Sequence, residues 1–183
     1  MDSTQLILIF FAIAFFVWRL STAAGRLDRV HIRRDQALTS LRLQLAWRTS
    51  SVAKLLIGGV LDPVSANVLS QEVQAVTASS ELSLLQYMSA ESEMTRALGA
   101  VFDDREVIED ILRESPHMQQ VFTDLAHACR RVELARRFHN DAVGAAQLLH
   151  RRPLVRYFRL AGHTDMPVAI DLDDTVPAGL EML

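Results

Sequence analysis

Apolar residues run without interruption from Leu6 to Trp18 (LILIFFAIAFFVW). Arg19 interrupts, and Leu20 to Ala24 continue the run. A helix needs about 20 mainly apolar residues to cross roughly 30 Å of hydrocarbon. Gln5–Ala24 meets that length once Arg19 extends its aliphatic stem toward the headgroups. Trp18 suits the interfacial aromatic belt. A helix packed by one side onto a soluble domain would show a polar face, and residues 6–18 have none. A cleavable signal peptide is the other alternative, since STAAG offers small residues. Against it, MDSTQ carries no basic residue and Arg19 separates the run from the candidate cleavage site. The pattern therefore favours a retained anchor.

From Leu27 onward the spacing is helical. Leu27, Val30, Ala37, Leu41, Leu45, Val52 and Leu55 follow intervals of three, four and seven, which puts them on one face. Only Gly25 interrupts the chain between anchor and Ile57, so the membrane helix is expected to run on directly. Gly58-Gly59 and Asp62-Pro63 predict a stop and a restart. Leu69, Val73, Val76, Leu84, Tyr87, Met94, Leu98, Val101, Ile108 and Leu112 mark a second stretch. Bundle helices bury most when matched in length, so a break is expected at Ser79-Ser80 or near Ser89. Ser115-Pro116 reads as cap and first position of the next helix. There Val121, Leu125, Ala128, Val132, Ala135, His139, Ala142, Ala146 and Leu149 form a narrow seam that Arg152-Pro153 ends. Only Val168–Leu172 hints at β alternation.

Charge is blocked along the chain. Residues 1–61 carry +5, 62–114 carry −8, 115–160 carry +5 and 161–183 carry −5. Acidic middle helices between basic outer ones suit an antiparallel bundle whose neighbours attract. Arg19, Arg26, Arg29, Arg33, Arg34, Arg42 and Arg48 all follow the apolar run Leu6–Trp18. The positive-inside rule thus predicts the N-terminus outside and residues 26–183 in the cytoplasm. A net charge of −3 with 50% hydrophobic residues excludes a disordered chain and a strongly basic nucleic-acid binder. The one cysteine, Cys129, leaves no disulfide framework.

Ala135–Val143 reads ARRFHNDAV, and this segment resembles the LemA family. That family's last bundle helix carries Ala-Arg-Arg, then Tyr-Asn and an apolar residue. Arg136, Arg137, Asn140 and Val143 match; Phe138 lies within the motif, and His139 stands where the family usually has Tyr. Gln44-Leu45 with Arg48 and Leu55 is similar to its QL-x-x-R segment. AESEMTRAL (Ala90–Leu98) is similar to its A-E-N-x-L motif, with Ser92 for Asn and Met94 for Leu. The second Tyr-Asn repeat is replaced by AAQLLH. The resemblance covers nearly the whole chain and implies a bacterial, membrane-anchored, antiparallel helical bundle facing the cytoplasm, with no particular reaction attached.

Candidate chemistry is sparse. VAIDLDDTV (Val168–Val176) looks like the first motif of haloacid-dehalogenase-type phosphatases, with Asp171 as nucleophile and Asp173 as acid/base. That fold needs further strands, a Lys and an acidic metal loop after the motif, and nine residues follow Asp174. The competing expectation is an acidic, solvated tail. No two of His31, His117, His127, His139, His150 and His163 have the i,i+4 spacing of a helical zinc site. His139 lies on the seam, either as a hydrogen-bonded core residue or as a pH-sensitive group. His150–Leu160 (HRRPLVRYFRL) interleaves Arg151, Arg152, Arg156 and Arg159 with Tyr157 and Phe158. It is expected either to touch the inner leaflet or to pack on the bundle end.

The expected fold is all-α: an N-terminal transmembrane helix continuing into an antiparallel four-helix bundle of LemA type. Residues 1–25 form the anchor, 26–160 the cytoplasmic bundle and 161–183 the acidic tail. The expected function is a single-pass scaffold or adaptor in the cell membrane that binds another protein or a second copy of itself. A lipid-surface role for residues 150–160 is the alternative, and an enzyme is a distant third. Neither cofactor, metal, nucleic acid nor small-molecule substrate is implied.

Overall fold

The computed structural model describes residues 3–157, 166–181 and 183, with all their side chains except those of Ala23, Ala24, Leu154 and Arg156. Every regular element among them is helical. Helix α1 spans Ser3–Ile57, α2 Pro63–Ser79, α3 Leu84–Phe102, α4 Arg105–Glu114, α5 Gln119–His150, α6 Pro153–Tyr157 and α7 Ala178–Glu181. A 3-10 turn, Pro116–Met118, precedes α5.

The 55 residues of α1 form one uninterrupted helix. Gly25 costs it about 1 kcal/mol relative to Ala, too little to break it. Its first half is long and apolar enough to cross a membrane. Gly58-Gly59 ends it, with Gly59 at φ 65°, a left-handed conformation that favours glycine. Asp62 then caps α2, its carboxylate accepting from the Val64 and Ser65 backbone N–H groups at 2.9 and 3.0 Å, and Pro63 takes the first helical position.

The second apolar stretch breaks at Ser79-Ser80, one of the two places expected. The Ser79 and Ser80 hydroxyls donate to the Val76 and Thr77 carbonyls, and Ser83 opens α3 through a capping box with Gln86. Ser89 lies inside α3. An unexpected second break falls at Asp103-Asp104, where the Asp104 carboxylate accepts from the Glu106 N–H and starts α4. Ser115 does not act as the expected side-chain cap; the backbone turns there through Met118 N–H to the Ser115 carbonyl. Val168–Leu172 is irregular backbone, not a strand.

The chain divides into two compact units, and α1 and α5 run through both. One comprises Met1–Ala37 and His139–Ala169, the other Leu38–Phe138 and Ile170–Leu183. Within the second unit, Leu41, Leu45, Val52 and Leu55 of α1 meet Leu69 and Val76 of α2, Met94, Leu98 and Phe102 of α3, and Phe122, Leu125 and Val132 of α5. Phe102 and Phe122 pack edge to face with ring centroids 5.7 Å apart. Ile170, Leu172 and Leu180 are buried in this same core. The solvated tail expected from composition is therefore corrected: three apolar side chains draw residues 170–181 onto the helices. In the first unit Leu27, Ala142, Val143, Ala146 and Val155 are buried.

Candidate functional site

The polar interior of the second unit begins with Arg48. It occupies the seam position between Leu45 and Val52 and is 1% exposed. Its Nη2 lies 2.8 Å from Glu91 Oε2 and donates to the Glu91 carbonyl at 2.9 Å; its Nη1 donates to Thr95 Oγ1 at 2.8 Å. Glu91 is fully buried one turn after Tyr87, on the apolar face of α3. Burial, and then the Glu91 charge, push the Tyr87 phenol far above its usual range, so it stays protonated.

This cluster also grips the C-terminal segment. Thr95 Oγ1 lies 2.7 Å from the Asp173 carbonyl and 3.1 Å from that of Glu91, so its single proton is best directed to Asp173. The Asp173 N–H donates to Ser92 Oγ at 3.2 Å. Arg136 on α5 clamps the Asp174 carboxylate with Nε at 2.5 Å and Nη2 at 3.1 Å, a bidentate pair that favours the charged guanidinium still further. At the far end, Arg130 Nη1 donates to the Glu181 carbonyl at 3.0 Å. The structure thus unites residues from the QL-x-x-R-like segment, AESEMTRAL, ARRFHNDAV and VAIDLDDTV. Arg48 faces the Glu91 carboxylate and Arg136 that of Asp174, and what the cluster does is join α1 to α3 and residues 170–176 to α3 and α5.

Sequence reasoning placed Arg48 among the charges flanking the anchor and missed its partnership with Glu91. The signal was present: the two side chains interrupt the seams Leu45–Val52 and Tyr87–Met94 with opposite charges. Of the phosphatase-like residues, Asp171 is exposed, while the Asp173 carboxylate accepts from the Thr175 N–H and hydroxyl, closing a local turn. Among the described residues no group of three or more His, Cys, Asp or Glu side chains could hold a metal ion. Cys129 is buried, which pushes its thiol up.

The other motif residues are spread over several environments. Arg137 pairs with Glu133 on the helix surface. Phe138 is 58% exposed and Leu134, one turn earlier, 51%. Leu43 and Trp47 make a second exposed i,i+4 pair on α1, and Arg131 lies over the Trp47 ring at 5.4 Å while donating to Gln44 Oε1. In the first unit Val143 is buried and Asn140 half-buried. His139 is buried and held below its usual pKa by desolvation and then by the Arg34 charge. His150 Nε2 sits 2.9 Å from His31 Nε2, and burial, then His31 and Arg34, lower its pKa too.

Arg151 and Arg152 are exposed, and Tyr157 is 83% exposed. The Arg156 side chain, Phe158 and Arg159 lie outside the described residues. Arg152, Pro153 and Val155 share a cavity of about 330 Å³ with Arg19, Thr22, Arg26 and Leu149.

No family model, curated protein or solved structure matches the chain.

Proposed function

We propose that this chain is a single-pass membrane protein of the LemA type: a non-enzymatic scaffold or adaptor that presents a helical bundle at the inner membrane face. In this reading α1, α2, α3 and α5 are the four antiparallel helices, since each contributes to one core. The observation that carries it is continuity. The large side chains from Leu6 to Trp18 are 44–67% exposed on the same helix that buries Leu41, Leu45, Val52 and Leu55. That apolar surface needs lipid around it, whereas the polar cluster at Arg48 and Glu91 is consumed in holding the fold. The arginines following the anchor favour a cytoplasmic bundle.

Leu134 with Phe138, and Leu43 with Trp47, supply apolar surface for a protein partner or a second copy of the chain. The lipid-surface reading is favoured by one further observation, the cavity that Arg152 shares with Arg19 and Arg26.

Fractionation and capture test the proposal. The full chain should stay with membranes through alkaline extraction, and a chain starting at residue 26 should not. A C-terminal tag should resist protease added to intact cells. In mild detergent the full chain should self-associate or retain a discrete partner, and Leu134→Asp with Phe138→Asp should abolish that. Secreted protein beginning near Gly25, a tag digested from outside, or a solitary monomer would each defeat the corresponding part.

A further inference from the structure

The cavity in the first unit has an unbalanced lining. Arg19 and Arg26 come from α1, Arg152 from the link after α5, and Leu149, Pro153 and Val155 form an apolar wall; among the described residues no carboxylate lines it. Residues 19, 22 and 26 follow i, i+3, i+7 spacing, so they share one face of α1. The Thr22 hydroxyl donates to the Arg19 carbonyl at 2.9 Å, which leaves recognition to the guanidiniums. Among the described residues none of the three arginines is in an ion pair. The C-terminal end of α5 contributes only about half a negative charge nearby, which three cations outweigh.

Position along α1 selects the anion. Arg19 directly follows the apolar run. Arg26 lies seven residues on, roughly 10 Å farther along the helix axis. Headgroup layers occupy about 5–8 Å on each side of the hydrocarbon core. The two guanidiniums therefore bracket the depth at which lipid phosphates lie. Arginine forks match phosphate oxygens bidentately, and Leu149, Pro153 and Val155 offer apolar contact to the glycerol and first acyl carbons.

We propose that this cavity binds the phosphate of one anionic phospholipid from the leaflet that the C-terminal end of the apolar run reaches. The inference rests on the anchoring reading above. A free phosphate ester shares the recognised chemistry, so the test separates the two sources.

The full chain is placed in phosphatidylcholine nanodiscs doped with phosphatidylglycerol, then extracted and exchanged into neutral detergent; retained lipid is counted by native mass spectrometry. Co-elution with the disc reports anchoring independently of the count. About one phosphatidylglycerol per chain should remain. Arg19→Gln, Arg26→Gln or Arg152→Gln should each lower retention about five-fold, while Arg151→Gln, an exposed neighbour outside the cavity, should leave it unchanged. Helical circular dichroism checks that each variant is folded. Millimolar glycerol phosphate or inorganic phosphate should not displace the lipid. Chains that enter discs yet retain no phosphatidylglycerol overturn the site. Equal loss from Arg151→Gln overturns it in favour of diffuse surface attraction, and displacement by soluble phosphate overturns the lipid source.

Discussion

Arg48 and Glu91 form a fully buried ion pair, 2.8 Å apart, that ties α1 to α3 across 43 residues of sequence. Arg48 also bonds the Glu91 carbonyl and Thr95 Oγ1, although its Nε has no partner among the described residues. A buried pair returns little net stability because both charges are desolvated, but removing one partner strands the other. Glu91→Gln or Arg48→Met should therefore cost about 3–5 kcal/mol, while Arg48→Met combined with Glu91→Leu should recover most of it. Urea unfolding of the full chain in detergent measures both. Equal losses for the single and double variants would mean the pair adds net stability of its own.

The docking of residues 170–176 predicts local, not global, effects. Thr95→Val deletes the bond to the Asp173 carbonyl, and Arg136→Gln deletes the clamp on Asp174. A neutral hydrogen bond contributes about 1 kcal/mol, about a five-fold change in an opening equilibrium. Amide exchange at Leu172–Thr175 should speed up about five-fold in Thr95→Val and more in Arg136→Gln, with the melting of α2 little altered. Uniform acceleration throughout the chain would show that the segment opens only with the whole fold.

Much of this fold was legible as periodicity, because helices that bury one face must repeat apolar residues every three or four positions. Leu41, Leu45, Val52 and Leu55, and the α5 seam through Val132 and His139, are buried as their spacing predicts. The Asp103-Asp104 break leaves no mark in the apolar spacing, because an acid in a helical stretch looks the same whether it is solvated surface or, like Asp104, the cap of the next helix. Arg48 and Glu91 were missed because a charge in a seam reads as a gap until its partner is known. The docking of Ile170, Leu172 and Leu180 was hidden for another reason. An irregular segment has no period of its own, and its fit is decided by the helices it lies on. Charge blocks carried part of that information: the cross-element pairs Arg48–Glu91 and Arg136–Asp174 each join a basic block to an acidic one.

His139 and His150 make the stability of the first unit pH-dependent. Both have folded pKa values below the ordinary 6.5, chiefly through burial. Above 6.5 both are neutral in folded and unfolded chains and nothing is lost. As the pH falls below 6.5 the unfolded chain takes up protons first, so stability drops until the folded pKa is passed. The loss is about 1.4 kcal/mol for each unit of depression. Thermal melts of the full chain from pH 7.5 to 5 should show this decline, and His139→Phe should flatten it, His139→Phe with His150→Gln further still. A profile identical in the variants would assign the acid sensitivity to other groups.

Gly179 sets how closely α7 can lie against the ends of α3 and α4. A Cβ there would fall inside contact distance of the Phe102 carbonyl oxygen, and 3.1 and 3.2 Å from Ile108 Cδ1 and the Asp104 carbonyl. Two of these three atoms are backbone held by the α3–α4 turn, which cannot yield as a flexible side chain would. The helix is anchored on either side by the Ala178 N–H on Asp103 Oδ1 at 3.2 Å and by Arg130 on the Glu181 carbonyl. Gly179→Ala must therefore strain the turn or lift α7 and expose Leu180, which is fully buried. Overpacking of this kind costs about 1–3 kcal/mol. Exchange at the Ala178 and Leu180 amides should rise accordingly, with the Thr95–Asp173 bond retained. Gly58→Ala is the informative contrast, because its new Cβ would meet chiefly the flexible Met118 side chain, at 2.5 Å from Cε. Met118 can rotate away, so that variant should lose less. A Gly179→Ala chain as stable and as protected as the parent would show that α7 is not seated where Phe102 and Ile108 place it.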